Sequence, residues 1–550
     1  MPFSSLISRH FAVAVLSTLF IPAHPSAAQT QTQPPQKSDS STASHILHSA
    51  EKAAGGSKAL SLIKTIVLEG SILSKDSTPT GTFTFNLKLP NRYYMELVAG
   101  DKSFIDSFNG KSAWRQNAAG EMNTLVGTEA LQLEAAGLYC NSHYVNLKKN
   151  KLAVTYVGTA KVHDRDADEI EVTSFSGAKR QLFFDAQTHL LVEEDATMGG
   201  PDDKLVRKLF YSDYRAVNGV QLPYKIWLQR ANDGFDIQIT RAALNEPVGE
   251  RVFDFPRKSQ VILPDMKKLF AEVDARQKVN DQLQKKYAGT KIENETPLDR
   301  KGNPTKPEVT ESFFFYYNGG EVDRVLKKNG QPLTPDERKA EDDRFLKAIA
   351  DLKKHPVKDS DANAEADDKK DSETSSNDSK DKDATNNSAN SIGSAESDED
   401  VKDSDFSVDT FLRVAQFVNP RRERYQGQDV LAFDFEPNPE YKAHGLVEHL
   451  VQKLGGVIWI DERTKDVVRL DAFFASDMKF AGGLLADLEK DTRVIIMNTY
   501  VGSEAWLPEY EEVRIAIKLL LVKTYRIDES TKYFDYKKFD PSMLEIPATK

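Results

Sequence analysis

The chain has 550 residues, enough for two or more domains with full hydrophobic cores. Its formal net charge is −11 and no basic stripe is present, which argues against a nucleic-acid partner. Cys140 is the only cysteine, so neither an internal disulfide nor a cluster of thiolate metal ligands can form.

The first 28 residues have the pattern of a secretory signal peptide. Arg9 and His10 precede an apolar run over 11–21, and Ser26-Ala27-Ala28 supplies the small residues typical of a cleavage site. The run is too short to span a bilayer, and no run of about 20 apolar residues follows it. We therefore expect an exported, periplasmic protein that is not an integral membrane protein, with a polar, disordered tether over 29–42.

Residues 81–114 alternate between apolar and polar side chains, which predicts an antiparallel meander with one aromatic-rich face. Pro90-Asn91 and Asn109-Gly110 are the turn signals that separate its strands. Such a face must be covered by another element, or it must hold an apolar ligand. The candidate ligand-binding side chains are Phe83, Phe85, Leu87, Leu89, Tyr93, Met95 and Trp114.

The same stretch carries a resemblance to a known family. An apolar strand ending in Leu89-Pro90-Asn91, a second strand, and then Asn109-Gly110-Lys111 shortly before Trp114 resemble the periplasmic lipoprotein-carrier (LolA-like) proteins. The resemblance implies an incomplete, curved antiparallel barrel that is lidded by helices and shelters acyl chains. The family has an arginine where this chain has Leu89, and Arg92 lies close by without being the matching position.

The first module is predicted over 43–257. Its apolar spacing indicates a helix over 43–54, about ten antiparallel strands, and short helices over 128–147 where a lid would lie. A sheet of that size must curl, and the helices are available to cover its concave side.

Four landmarks then recur in the same order, which predicts a duplicated module. Residues 165–170, 180–194, 218–223 and 254–256 resemble 428–433, 456–471, 503–508 and 538–541, respectively. The second module would comprise 264–355 and 406–541. Between these parts, residues 356–405 are almost free of apolar side chains, which predicts a disordered acidic insertion.

Motifs for catalysis or metal binding are missing from the sequence. His444 and His449 are five residues apart, which fits no helical zinc motif, and neither a nucleophile elbow nor a glycine-rich phosphate loop occurs. The acidic residues at 164–169 could bind calcium, but they lack the glycine and spacing of an EF-hand, so a solvated turn is the default. We expect no catalytic activity, no metal and no cofactor.

Basic side chains suggest where a charged group could dock. Arg421, Arg422 and Arg424 follow a helix predicted over 408–418, so an anionic lipid headgroup or an acidic patch of a partner could bind there. A surface helix end explains the same cluster equally well. Arg92 is a further candidate for the headgroup.

The sequence thus predicts an α+β, mainly β protein of tandem LolA-like half-barrels, each a curved antiparallel sheet lidded by helices. The predicted function is non-enzymatic binding or carriage of lipid or lipoprotein acyl chains by a monomer, with Trp459 as a cavity candidate in the second module. The alternative is an envelope scaffold that has a filled core and binds a protein partner. An enzyme acting on envelope material is a third, weaker interpretation.

Overall fold

The computed structural model describes residues 37–142, 152–174, 176–197, 206–230, 233–256, 264–296, 306–357, 408–480, 486–489, 492–519 and 523–544. The predicted signal peptide, the tether before residue 37 and nearly all of the acidic insertion lie outside these ranges. The chain forms two compact units. The N-terminal unit comprises His24–Ile262 and Phe417–Phe435, and the C-terminal unit comprises Leu263–Gln416 and Glu436–Lys550.

The N-terminal unit consists of one large antiparallel sheet and three helices. The helices are α1 (Lys37–Ala53), α2 (Ser57–Ser61) and α3 (Gly127–Ser142). The strands are β1 (Thr65–Leu73), β2 (Pro79–Lys88), β3 (Arg92–Ala99), β4 (Lys102–Phe108), β5 (Ala113–Gln116), β6 (Met122–Thr124), β7 (Ala153–Val162), β8 (Arg165–Thr173), β9 (Lys179–Asp185), β10 (Leu191–Thr197), β11 (Val206–Val217), β12 (Val220–Arg230) and β13 (Asp233–Leu244). Their hydrogen-bonded order is β6-β5-β4-β3-β2-β1-β13-β12-β11-β10-β9-β8-β7.

The C-terminal unit is built in the same way. Its helices are α4 (Met266–Gln284), α5 (Pro335–Lys354), α6 (Val408–Val414) and α7 (Gly445–Val451). Its strands include β14 (Tyr287–Glu295), β15 (Glu308–Tyr317), β16 (Gly320–Lys328), β17 (Gln331–Pro332), β20 (Leu454–Asp461), β21 (Val467–Phe474), β22 (Met478–Phe480), β23 (Ala486–Leu488), β24 (Arg493–Val501), β25 (Ala505–Leu519) and β26 (Lys523–Lys538). The order is β17-β16-β15-β14-β26-β25-β24-β21-β20, continued by the two strands of the hairpin described next, with β23 pairing both β22 and β25.

A hairpin late in the chain belongs to the N-terminal unit for most of its length. It is formed by β18 (Ala415–Tyr425) and β19 (Gln428–Pro437), which are the last two strands in the order of the second sheet. The predicted second module, 264–355 and 406–541, includes both strands. Polar side chains of the hairpin also make buried contacts within the N-terminal unit, described below.

Alternation along the strands buries one face of the N-terminal sheet. On β3 the side chains of Tyr93, Met95 and Leu97 are buried while Tyr94 and Glu96 are partly exposed. The buried set joins with apolar residues of β1, β2, β12, β13 and α3 in one hydrophobic cluster. The predicted fold class, mainly β with two large curved antiparallel sheets and a few helices, is confirmed.

Two of the predicted repeats share the details of one turn. Asp185 ends β9 and Asp461 ends β20. In each turn the aspartate Oδ1 accepts hydrogen bonds from the backbone N–H groups two and three residues later, at 3.0 and 2.7 Å in the first turn and 2.8 and 2.6 Å in the second. The fifth residue of each turn, His189 or Lys465, has a positive φ, 58° and 66° respectively.

The ends of three helices differ from the prediction. Helix α1 begins at Lys37 instead of residue 43, because the polar sequence of its first turn carries no apolar signal. The helix predicted over 408–418 ends at Val414, and the following residues join β18. The predicted lid over 128–147 is a single helix, α3, in its described part, and residues 143–147 lie outside the described ranges.

Candidate functional site: an apolar cavity in the N-terminal unit

A cavity lies between one face of the sheet and helices α1 and α3. Its water-accessible volume is about 130 Å³. The whole empty space between its walls, including the part that is open to solvent, is about 1070 Å³. Ala50 of α1 and Ala136 of α3 contribute small side chains from the helical side. The sheet contributes larger residues from β1, β2, β3 and β9 to β13: Ile66, Leu68, Phe83, Phe85, Leu87, Tyr93, Met95, Arg180, Leu191, Glu194, Arg207, Leu209, Tyr211, Tyr214, Gln221, Leu222, Pro223, Ile226, Leu228 and Ile237.

Aromatic rings form one part of the wall. The rings of Phe83 and Phe85 are stacked with centroids 6.2 Å apart, and Phe85 meets Tyr93 edge to face at 5.4 Å. These side chains stand on the neighbouring strands β2 and β3, where Phe85 is opposite Met95 and Leu87 is opposite Tyr93. The alternation of apolar residues therefore brings all five of these predicted residues to the cavity wall.

Three other predicted cavity residues lie elsewhere. Leu89 follows the last residue of β2 and is 40% exposed. Trp114 is buried away from the cavity, where its indole Nε1 donates a hydrogen bond to the carbonyl oxygen of Phe253 at 2.8 Å. Trp459 belongs to the C-terminal unit and is buried beneath the guanidinium of Arg469.

The predicted headgroup residues are dispersed. Arg92 makes a 2.7 Å ion pair with Glu250. Arg422 and Arg424 are exposed, and Arg424 donates to the carbonyl oxygen of Gly427 at 2.7 Å. None of these three contributes to the wall of the cavity described above.

Arg421 has a structural environment that differs from the exposed basic cluster predicted for it. It is buried, and its Nη1 and Nε lie 2.9 Å from carboxylate oxygens of Asp434 and Glu423, respectively. Burial would lower the pKa of Arg421, but these two carboxylates outweigh it and raise the pKa. The interpretation of Arg421 as a docking point on the surface is corrected accordingly, because its cationic charge is already compensated inside the unit.

Polar side chains interrupt the apolar wall at one place. Arg180 and Glu194 form a buried ion pair, and Arg180 Nη2 donates to the carbonyl oxygen of Gln132 in α3 at 2.6 Å. The hydroxyl of Tyr211 donates to the second carboxylate oxygen of Glu194 at 3.2 Å. This group connects β9, β10 and β11 to the helix that covers them.

A second charged group lies beside the first. Asp106 is fully buried, and its carboxylate oxygens lie 2.6 Å from Arg115 Nε and 3.7 Å from Arg207 Nη1. Burial would raise the pKa of Asp106. The guanidinium groups of Arg230, Arg115 and Arg207 outweigh burial and hold that pKa below its ordinary value.

Sequence reasoning missed these arginines, although the sequence contains a signal for them. Arg207 continues the alternation of Leu209 and Tyr211 on β11, and Arg230 continues that of Ile226 and Leu228 on β12. A charged residue in phase with the apolar face of a strand points into the interior.

No family model matches the sequence, and no curated protein matches it. Solved structures that match include a DUF1329 family protein from Desulfovibrio piger, 15% identical, with a TM-score of 0.26, covering 38% of this chain and 97% of its own. A putative outer membrane lipoprotein-sorting protein domain from Vibrio parahaemolyticus is 9% identical, with a TM-score of 0.26, covering 39% and 97%. A LolA superfamily protein from Nitrosomonas europaea is 12% identical, with a TM-score of 0.26, covering 39% and 97%.

These matches include the family that the sequence of residues 81–114 resembles. The fold is defined by the strand order of this chain itself, because the TM-scores of the matching structures are low. Within the described ranges, no helix is both long enough and apolar enough to cross a membrane.

Proposed function

We propose that the protein is a non-enzymatic carrier that binds an acyl chain of a lipid or of a lipidated protein in the cavity of the N-terminal unit. The observation that carries this proposal is the cavity itself, which has a wall of aromatic and aliphatic side chains and a cover of two helices. Ligand sites in proteins are typically concave, mostly apolar, and supplied with a few polar groups that fix orientation. This cavity has that composition.

The hydrophobic effect supplies the binding energy in this proposal. Each methylene group that leaves water contributes about 0.8 kcal/mol, which corresponds to roughly a fourfold decrease in Kd. In a series of saturated chains, affinity should therefore rise by about fourfold for each added carbon until the chain is longer than the cavity. An acyl chain needs no specific polar contact to bind in this way.

The test is a binding measurement on the purified protein. Native mass spectrometry after gentle purification should detect a co-purifying lipid, and a fluorescent fatty acid should bind and be displaced by unlabelled chains in order of length. A protein that carries no lipid and takes up no fluorescent fatty acid would refute the proposal.

A pair of matched variants locates the site. Leu209 on β11 is half-buried against the cavity, so Leu209→Trp places a larger side chain in the empty space. Leu89→Trp makes the same change at an exposed position away from the cavity. We expect Leu209→Trp to weaken fatty-acid binding at least tenfold and Leu89→Trp to leave it unchanged, with circular dichroism showing that both variants are folded.

The wider setting belongs to the same proposal. The signal-like pattern over 1–28 supports a periplasmic location, and the shared strand order and turn geometry of the two units support a tandem arrangement of related modules. A pocket formed by described residues of the C-terminal unit, around Glu295, Glu511 and Glu529, is much smaller and more polar, with a water-accessible volume of about 10 Å³. We therefore assign acyl-chain binding to the N-terminal unit.

A further inference from the structure

Arg207 stands on the wall of the cavity with two of its three side-chain nitrogen atoms making no hydrogen bond to the described residues. Its side chain is 3% exposed, and its Nε and Nη1 atoms are buried without a hydrogen-bond acceptor among the described residues. Its ion pair with Asp106 is 3.7 Å long, which is beyond hydrogen-bonding distance. Because a buried, unbonded donor is costly, these two nitrogen atoms are binding groups that lack an acceptor among the described residues.

Asp106 accepts its hydrogen bonds from a different arginine, Arg115. Its Oδ1 accepts a hydrogen bond from Arg115 Nε at 2.6 Å, and its Oδ2 accepts one from Arg115 Nη2 at 3.4 Å. Arg115 in turn donates from Nη1 to Glu129 at 2.5 Å. The carboxylate therefore balances the charge of Arg115 first and that of Arg207 only at longer range.

A third arginine increases the positive charge around Arg207. Arg230 on β12 lies directly opposite Arg207 on β11, on the same face of the sheet. Like charges in opposed positions of a sheet repel one another. Burial lowers the pKa of Arg230, and the charges of Arg115 and Arg207 lower it further, against the opposing effect of Asp106.

The charged groups that the structure describes at this side of the cavity do not balance. Among the described residues, four guanidinium groups accompany three carboxylates, which gives these groups a net charge of +1 beside an apolar space. The groups are Arg115, Arg180, Arg207 and Arg230, with Asp106, Glu129 and Glu194. An uncompensated buried charge is unfavourable, and an anion placed there would compensate it.

We propose that the acyl chain bound in the cavity ends in an anionic group whose oxygen atoms accept hydrogen bonds from the guanidinium of Arg207. This inference rests on the proposed function and adds the chemical class of the ligand. A carboxylate and a phosphate share the required chemistry, because the planar guanidinium matches the oxygen atoms of both. A neutral chain of the same length fills the apolar space and leaves Arg207 without an acceptor.

The experiment compares three ligands of one chain length on the purified full chain. Dodecanoate, dodecyl phosphate and dodecanol each compete with diphenylhexatriene, a fluorophore that has no charge of its own. We expect at least one of the two anions to bind about tenfold more tightly than dodecanol or better, the difference expected for a hydrogen bond to a charged group. The anion with the lower Kd identifies the group.

Variants assign this preference to Arg207. In Arg207→Gln the advantage of the anion over dodecanol should disappear while the Kd of dodecanol changes by less than about twofold. Arg207→Lys, which keeps the charge and is the second variant if Arg207→Gln fails to fold, should retain part of the advantage. Arg241→Gln is the matched control, because Arg241 is exposed on β13 and pairs with Glu69 and Glu246.

The possible failures are distinct. Equal affinities for the anions and dodecanol would overturn anion recognition and leave acyl-chain binding intact. An anion preference that persists in Arg207→Gln would overturn the role of Arg207. If diphenylhexatriene and all three chains fail to bind, the proposed function fails together with this inference.

Discussion

Two charged side chains, Arg180 and Glu194, are buried on the wall of a cavity that is otherwise largely apolar. Each is only 3% exposed, so the surrounding solvent contributes little to their stability. A buried ion pair often adds little net stability compared with apolar residues of similar volume. Removing one partner is expensive, because the other charge is left buried and uncompensated.

Arg180→Met should therefore destabilise the N-terminal unit by about 3–5 kcal/mol. The loss arises from the unpaired carboxylate of Glu194 and from the lost hydrogen bond to Gln132 in α3. Urea unfolding followed by fluorescence measures the change in the free energy of unfolding.

Two further variants test the cause of this loss. The double variant Arg180→Met/Glu194→Leu should recover much of the stability, because neither charge of the pair remains to be left uncompensated. Lys161→Met, which removes one partner of an exposed pair with Asp166, should leave the unfolding midpoint unchanged. If the single and double variants are equally unstable, the unpaired charge is not the cause.

At this scale, the sequence predicts the apolar wall better than the polar part of the site. Phe83, Phe85 and Met95 follow from alternation alone, since the period of a strand places them on one face. Leu89 keeps the same phase but falls beyond the end of β2, where the backbone no longer repeats. The position of Arg207 beside Asp106 depends on which strands become neighbours, and local alternation carries no information about that.

Helix α3 illustrates how closely the elements of the N-terminal unit pack. A Cβ atom at Gly137 would lie 2.0 Å from the backbone carbonyl oxygen of Asn91, in the segment between β2 and β3. Glycine therefore allows the helix to approach the end of these strands. The same helix supplies Ala136 to the cavity wall.

Gly137→Ala should destabilise the N-terminal unit by about 1–3 kcal/mol, because a backbone oxygen cannot rotate away from the added methyl group. The intrinsic preference of alanine for helices, up to about 1 kcal/mol, opposes this effect without cancelling it. Thermal unfolding of both proteins measures the difference.

Gly249→Ala is the control for this change, because Gly249 has an ordinary φ of −66° and no atom lies within 4 Å of a Cβ there. It should leave the melting temperature unchanged. A Gly137→Ala protein as stable as the unaltered chain would show that α3 does not depend on the close approach to Asn91.

Turns are predicted more reliably than helix ends. Asn218-Gly219 and Asn318-Gly319 both have positive φ at both residues, as the tight turns that an Asn-Gly pair favours require. Thr334 and Glu337, a threonine and a glutamate three residues apart, form the capping box that this spacing favours, in which each side chain bonds the backbone N–H of the other residue. The end of α6 at Val414 has no comparable signal, because the next residues join a strand through contacts that are distant in sequence.

The two sheets share one plan at the scale of the whole molecule. The first strand of each sheet pairs with the last, β1 with β13 and β14 with β26. Outward from the first strand of each sheet, the next strands of the chain follow in sequence order. Outward from the last strand, the strands that precede it in the chain follow in reverse order. This correspondence, together with the shared turn at Asp185 and Asp461, supports the duplication predicted from the four sequence landmarks.

Buried polar contacts join the β18–β19 hairpin to residues far from it in the sequence. Asn109 and Asp434, separated by 325 positions, are joined by a 3.0 Å hydrogen bond. Thr124 donates its backbone N–H to Glu423 at 3.0 Å and its side-chain oxygen accepts from Arg421 at 2.8 Å. The sequence of either segment alone carries no signal for these contacts, because each depends on a partner that is distant in the chain.

Arg421→Met tests whether this late hairpin stabilises a unit formed mainly by residues before 263. The change leaves the carboxylates of Glu423 and Asp434 buried without their cation, which should cost about 3–5 kcal/mol. Hydrogen exchange should accelerate in β5 and β6 as well as in the hairpin, because Thr124 loses the side chain that donates to it. Arg424→Met, an exposed change three positions along β18, should leave exchange unaltered. Faster exchange in the hairpin alone would mean that the hairpin does not support those strands, and the N-terminal unit would then be stable without it.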